Sequence, residues 1–250
     1  MPAVREQLDE RFPGSTLDPE VWFPWYLPHW SSRAESAATY DVRDGELHLT
    51  IPPDQPLWCS ELHDEPLRVS CVQSGSAPGQ QPFADGLVVR EQHPPFRGYT
   101  PRYGRVEVRM RGVVDAGSMV AFWMSGIEDV PEHSGEICVA EIFGDAVRPG
   151  SAEVGMGVKA FRDPGLRQDF VAPRLDLDVA RFHDYAVEWA PGSLAFRVDG
   201  AVVRTLDQAP GYPVQLMIGV FDFPARAGGR EPGFVPELVV ASVRGTPAVG

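Results

Sequence analysis

The sequence predicts an all-β fold of stacked antiparallel sheets, and three observations carry that prediction. Gly and Pro contribute 25 residues each and fall at short intervals between apolar or alternating runs, the spacing of short strands joined by turns. Val106, Val108 and Met110 alternate with Arg105, Glu107, Arg109 and Arg111, a period of two with one dry and one wet face. No window offers a helix longer than a few turns, so strand follows strand without the helices of βαβ units.

In chain order the strand-forming runs are ELHLTIP (46–52), GLVVRE (86–91), GRVEVRMRG (104–112), SMVAFWMSG (118–126), GEICVAEIFG (135–144), HDYAVEWAPG (183–192), VQLMIGVFD (214–222) and ELVVASVRG (237–245). Residues 193–206 read as a hairpin turning at Asp199-Gly200, a dipeptide that readily takes the positive φ of a type I′ turn. QSGSAPGQQPF (73–83) reads as a long loop inside the domain, because strands resume on both sides without a change in composition. There is no internal repeat. All-β sandwiches of 250 residues fold as one unit, so a single domain over 1–250 is expected.

The formal net charge is −13, and Lys159 is the only lysine. A chain this acidic repels phosphate backbones and anionic lipid, which argues against nucleic acid or a membrane surface and for a neutral ligand. MPAVREQLDERF, at the N-terminus, is charged throughout and lacks the apolar run of a secretory signal, so a cytoplasmic location is expected if this is the full-length product. Cys59, Cys71 and Cys138 are an odd count and do not form a disulfide framework; pairing of Cys59 with Cys71 would need an oxidising compartment.

Glu136 and Glu141 lie five positions apart on one strand-forming run. In a regular strand they would face opposite sides; one β-bulge between them turns both to the same side. Two carboxyls about 5–5.5 Å apart are the equipment of a retaining glycosidase. Here the residues resemble glycoside hydrolase family 16, the laminarinase and lichenase group, whose members carry Glu-x-Asp-x-x-Glu on a bulged strand. Glu136-Ile137-Cys138-Val139-Ala140-Glu141 matches at both glutamates, and YTPRYGRVEVRMRG (99–112), VAFWMSG (120–126), FHDYAVEWAPGSLAFRVDGAVVRTL (182–206) and FPGSTLDPEVW (12–22) are similar to other segments in the family's order.

The resemblance implies a concanavalin A-like jelly-roll sandwich of two antiparallel sheets with a concave ligand groove. It implies Glu136 as nucleophile, Glu141 as general acid/base, and a polysaccharide substrate, a β-glucan being the expectation. Cys138 stands where the family has an acid hydrogen-bonded near the nucleophile, and a neutral thiol is a poor replacement for it. Arg11 and Ala241 align where many members hold calcium, so no metal is expected there, and no cofactor. Trp123, on the strand before Glu136, and Trp25 and Trp30, in the Pro-broken FPWYLPHW, are candidates for stacking on sugar rings, with His133 and Arg90 as polar contacts. Trp189, in an alternating apolar strand, is expected in the core. A monomer is expected. The rival readings are a non-catalytic glycan-binding module, which Cys138 favours and the retained glutamates oppose, a transglycosylase, and more distantly a polysaccharide lyase.

Overall fold

The computed structural model describes residues 5–248, so Met1–Val4 of the charged N-terminal segment and the last two residues lie outside the described part. Two antiparallel sheets face each other. One runs, edge to edge, Ala201–Leu206, Ser193–Val198, His183–Ala190, Gly104–Val113, Glu237–Thr246, Glu46–Thr50 and Thr39–Arg43, with Leu8–Glu10 also paired to Glu237–Thr246. The other runs Asp169–Val171, Gly155–Lys159, Glu136–Phe143, Ser118–Gly126, Val214–Asp222 and Arg68–Gln73. The fold is the jelly-roll sandwich expected from the sequence.

The period-two pattern of Gly104–Val113 settles which side faces inward. Val106, Val108 and Met110 are buried in the main core, while Arg105 and Arg109 on the outer face pair with Glu188 and Asp184 of the neighbouring strand. The second sheet is apolar on both faces. Along Ser118–Gly126, Val120, Phe122 and Met124 enter the core between the sheets, whereas Met119, Ala121 and Trp123 join a second apolar cluster on the outer face. Val214–Asp222 repeats the arrangement, with Leu216, Ile218 and Val220 inward and Met217 and Phe221 outward. A sheet that buries both faces must carry something over its outer side, and here that cover frames the cleft.

Segments from the N-terminal third supply the cover. Phe23 bridges to Gln73, and the Gln73 side-chain oxygen accepts from the Leu27 amide at 2.9 Å. In the Gln-rich loop, the Gln80 carbonyl accepts from the Trp30 indole at 2.9 Å, and the Gln80 side-chain amide donates to the Ile127 carbonyl at 2.5 Å. These bonds fix a polar loop over an apolar sheet by satisfying its buried donors and acceptors.

Three sequence expectations change. GLVVRE (86–91) forms no strand: Val88 is 68% exposed, and the Arg90 amide donates to the His29 carbonyl instead of to a sheet partner. β-branched residues favour a pleated surface only when one is available to receive them. Conversely, Thr39–Arg43, Arg68–Gln73 and Gly155–Lys159 are strands that the run pattern passes over. The loop over 73–83 contains a two-residue strand, Gly75–Ser76, paired with Phe96–Arg97. The hairpin at Asp199-Gly200 is as read, with Val198 opposite Ala201 and both turn residues at positive φ, 48° and 80°. Cys59, Cys71 and Cys138 are all free and buried.

Candidate active site

The strand Glu136–Phe143 carries the bulge that the spacing of its glutamates requires. Against Ser118–Gly126, Phe122 pairs with Ala140 and Trp123 with Cys138, leaving Val139 as the extra residue. On the other side Gly155 pairs with Glu141 and Gly157 with Cys138, so that one residue, Met156, stands opposite two, Val139 and Ala140. Ile137, Val139, Ala140 and Ile142 consequently point into the core between the sheets. Glu136, Cys138, Glu141 and Phe143 are left on the outer face. One unpaired residue thus moves Glu141 from the dry interior to the cleft floor.

That cleft has a volume of about 630 Å³. Glu136, Glu141, Trp123 and Lys159 line its floor, and Tyr26, Trp58, Phe83, Phe161 and Phe221 form apolar walls. Trp58 packs against Phe83 with ring centroids 5.1 Å apart, and Phe161 stands 63% exposed at the rim.

Lys159 ties the two carboxylates together. Its Nζ lies 2.6 Å from Glu141 Oε1 and 3.9 Å from Glu136 Oε2. The two distances together cap the separation of those oxygens at about 6.5 Å, the lower bound of the inverting range and compatible with the ~5–5.5 Å retaining spacing. Burial pushes the Glu136 carboxyl up to about 7; the Lys159 ammonium opposes the rise and the Glu141 charge adds to it. Cys138 is fully buried, and burial together with two carboxylate neighbours pushes its thiol up, so it remains neutral. Glu128, also on the cleft wall, accepts from the Gln81 amide at 2.8 Å and pairs with Arg162, which links the Gln-rich loop to the turn beyond Lys159.

The structure brings together Glu136, Glu141, Cys138 and Trp123. It places Trp30, Trp25, His133 and Arg90 away from the cleft lining. Trp30 is buried behind the wall with its indole committed to Gln80, and Trp25 packs on Phe23 and bridges to Ala37. His133 stacks on Tyr212 and pairs with Asp129, and Arg90 pairs with Glu61. From FPWYLPHW it is Tyr26 and Leu27 that reach the cleft, a choice no periodicity signals in a Pro-broken segment. Trp189 is in the core, its indole donating to the Pro210 carbonyl. Sequence reasoning missed Lys159, Tyr26, Trp58, Phe83 and Phe161; for Lys159 the available signal was its being the only lysine. Among the described residues, no group of three or more His, Cys, Asp or Glu could hold a metal ion.

The sequence model of glycosyl hydrolases family 16 matches residues 99–227, which include the bulged strand, the strands on both its flanks and Lys159. The chain belongs to glycosyl hydrolases family 16. A Crh-like protein of Candida albicans is 29% identical over 127 residues, half of this chain and 26% of the relative. Among solved structures, the GlcNAcα1-4Gal releasing endo-β-galactosidase from Clostridium perfringens aligns with a TM-score of 0.83 and 26% identity. That alignment covers 95% of this chain and 61% of the other. The catalytic domain of an endo-1,3-β-glucanase (laminarinase) from Thermotoga petrophila has the same fold, with a TM-score of 0.65 at 17% identity over 95% of each chain. This chain thus spans about a quarter of the Candida relative and three fifths of the Clostridium chain.

Proposed function

We propose that the chain is a retaining, endo-acting glycosidase in which Glu136 is the nucleophile and Glu141 the general acid/base. The observation that carries this reading is the pair of glutamates turned to one face by the bulge and held within about 6.5 Å by a shared ammonium. Glu141 protonates the leaving oxygen as a Glu136 carboxylate oxygen bonds to the anomeric carbon and the glycosidic C–O bond breaks. Water, its proton taken by Glu141, then attacks the same carbon and releases Glu136. The active form of the pair carries one proton between the two carboxyls.

The apolar walls suit the ring faces of pyranoses. Both fixed cations on the lining, Lys159 and Arg162, are engaged by carboxylates, which favours a neutral glycan over an acidic one. For the sugar itself, the closer likeness to the Clostridium endo-β-galactosidase favours a β-galactosyl linkage over the β-glucan that the motif resemblance suggests. Transfer to a second sugar in place of water uses the same carboxylates.

A panel of β-glucans and β-galactosyl glycans, read by new reducing ends and by mass spectrometry for transfer products, tests the reading. Glu136→Gln, isosteric and uncharged, is expected to lower turnover by orders of magnitude with the fold and glycan affinity intact. Activity within about twofold of wild type would remove Glu136 from the mechanism, whereas glycan binding without turnover by the wild-type chain would make it a binding module.

A further inference from the structure

A lysine side chain is ordinarily a mobile, solvated cation, and holding one still costs up to about 2 kcal/mol of rotamer freedom. Lys159 is constrained on several sides. It pairs in register with Glu136, contacts Glu141, lies 3.9 Å from Glu136 Oε2, and its Nζ sits 5.3 Å from the centre of the Phe170 ring. Its strand is shaped for this arrangement. At Gly155 a Cβ would stand 2.5 Å from the Phe170 ring and 3.2 Å from Glu141 Cβ, displacing both of the groups that hold the ammonium.

The same cluster lacks an acid at Cys138. A neutral, fully buried thiol can neither carry charge nor donate a strong hydrogen bond to Glu136. The ammonium brings three donors, one of them already on Glu141, and a shift of about 1 Å would bring a second within hydrogen-bond reach of Glu136.

We propose that Lys159 is the positioning residue of this site, standing in for the middle acid of the motif by orienting Glu141 and Glu136 from the adjacent strand. The assignment rests on the retaining-glycosidase reading above. Lys159 would touch no atom of the sugar; it acts by fixing two groups that do, and groups held off their productive geometry forfeit rate. It also sets charge. Around the pair stand neutral Cys138, Tyr26 kept neutral by burial, Glu128 with its partner Arg162, and His63 and Asp85 on the wall. The positive charge that acts on Glu136 to favour its ionised form is that of Lys159.

Lys159→Met is expected to lower kcat about tenfold or more with KM within about threefold, because ground-state contacts with the sugar remain. It also removes the charge that favours ionised Glu136, so the acid limb of kcat/KM should move to higher pH by about one unit, a displacement that a packing defect would not produce. Lys159→Arg should keep the limb in place and recover part of the rate. Adding Cys138→Asp to Lys159→Met should recover part of the lost kcat by restoring an acid on the strand itself, and no recovery would refute the substitution of cation for acid. Should Lys159→Met not fold, Lys159→Gln, which keeps a donor but no charge, reads the same limb. A Lys159→Met enzyme with kcat within about twofold of wild type and an unmoved limb overturns the proposal. Glu136→Gln measured alongside separates the two failures: if it is inactive while Lys159→Met is normal, only the role of Lys159 falls, and if it is active the retaining reading falls first.

Discussion

Glu136 is the residue at which stability and chemistry pull apart. Its carboxyl is pushed up to about 7 mainly by burial, yet the proposed attack on carbon requires the ionised form. The kcat/KM profile is therefore expected to fall as pH drops below about 7, with this limb absent from any activity that does not use Glu136. Stability runs the other way. A carboxyl whose folded pKa lies above its unfolded value is neutral and unpenalised below about 4.5, and the cost of burying its charge develops as pH rises through about 7. Glu136→Gln should consequently be more stable than wild type at pH 8, by roughly 1–3 kcal/mol, and nearly equal to it at pH 4, as measured by denaturant midpoints. Equal midpoints at both pH values would show that Glu136 is not desolvated. The two glutamates were legible in the sequence because the motif and the segments around it resemble the family in one order, and their five-residue spacing then calls for a bulge. Lys159 was not, since its approach to them depends on the pairing of two strands joined by a loop whose length sets no register by itself. Nor was the choice of Tyr26 over Trp25, made by the Leu27–Gln73 hydrogen bond and the Phe23–Gln73 bridge.

At the scale of elements, the bulge and the strand beside it form one device. Val139 is the unpaired residue on one strand, and Gly157, opposite Cys138, answers it with a φ of 144°. A Cβ at Gly157 would lie 2.1 Å from the Asp169 carbonyl oxygen, so the backbone there admits glycine on both conformational and steric grounds. Gly157→Ala should destabilise the chain by about 2 kcal/mol or more and lower activity by disturbing the Lys159 strand, both readable from unfolding curves and turnover. A neutral outcome would mean that the strand register is not what holds Lys159. The two glycines also explain why GMGVK escaped notice as a strand: glycine weakens the β signal at the very positions where close approach demands it. GLVVRE failed in the opposite sense, its β-branched residues signalling a strand that has no sheet edge to join. Period-two alternation, by contrast, located Gly104–Val113 and its wet face correctly, because burial on one side alone fixes register.

For the whole molecule, the sandwich and its family were legible because the strand runs, the hairpin and the motif all agree and occur in one order along the chain. The cleft walls were less so. They come from the N-terminal third and from the loop at 77–85, segments without periodicity whose placement is decided by buried polar bonds such as those of Gln73 and Gln80. The net charge of −13, with both fixed cations of the lining already paired, fits a neutral glycan lying between apolar walls. The proposed mechanism is double displacement at two carboxyls whose facing oxygens lie within about 6.5 Å of each other. The most direct measurement is the anomeric configuration of the first product, followed by proton NMR within the earliest turnover of a β-linked substrate before mutarotation. The account predicts that the β anomer appears first and the α anomer grows in later; the α anomer appearing first would contradict it.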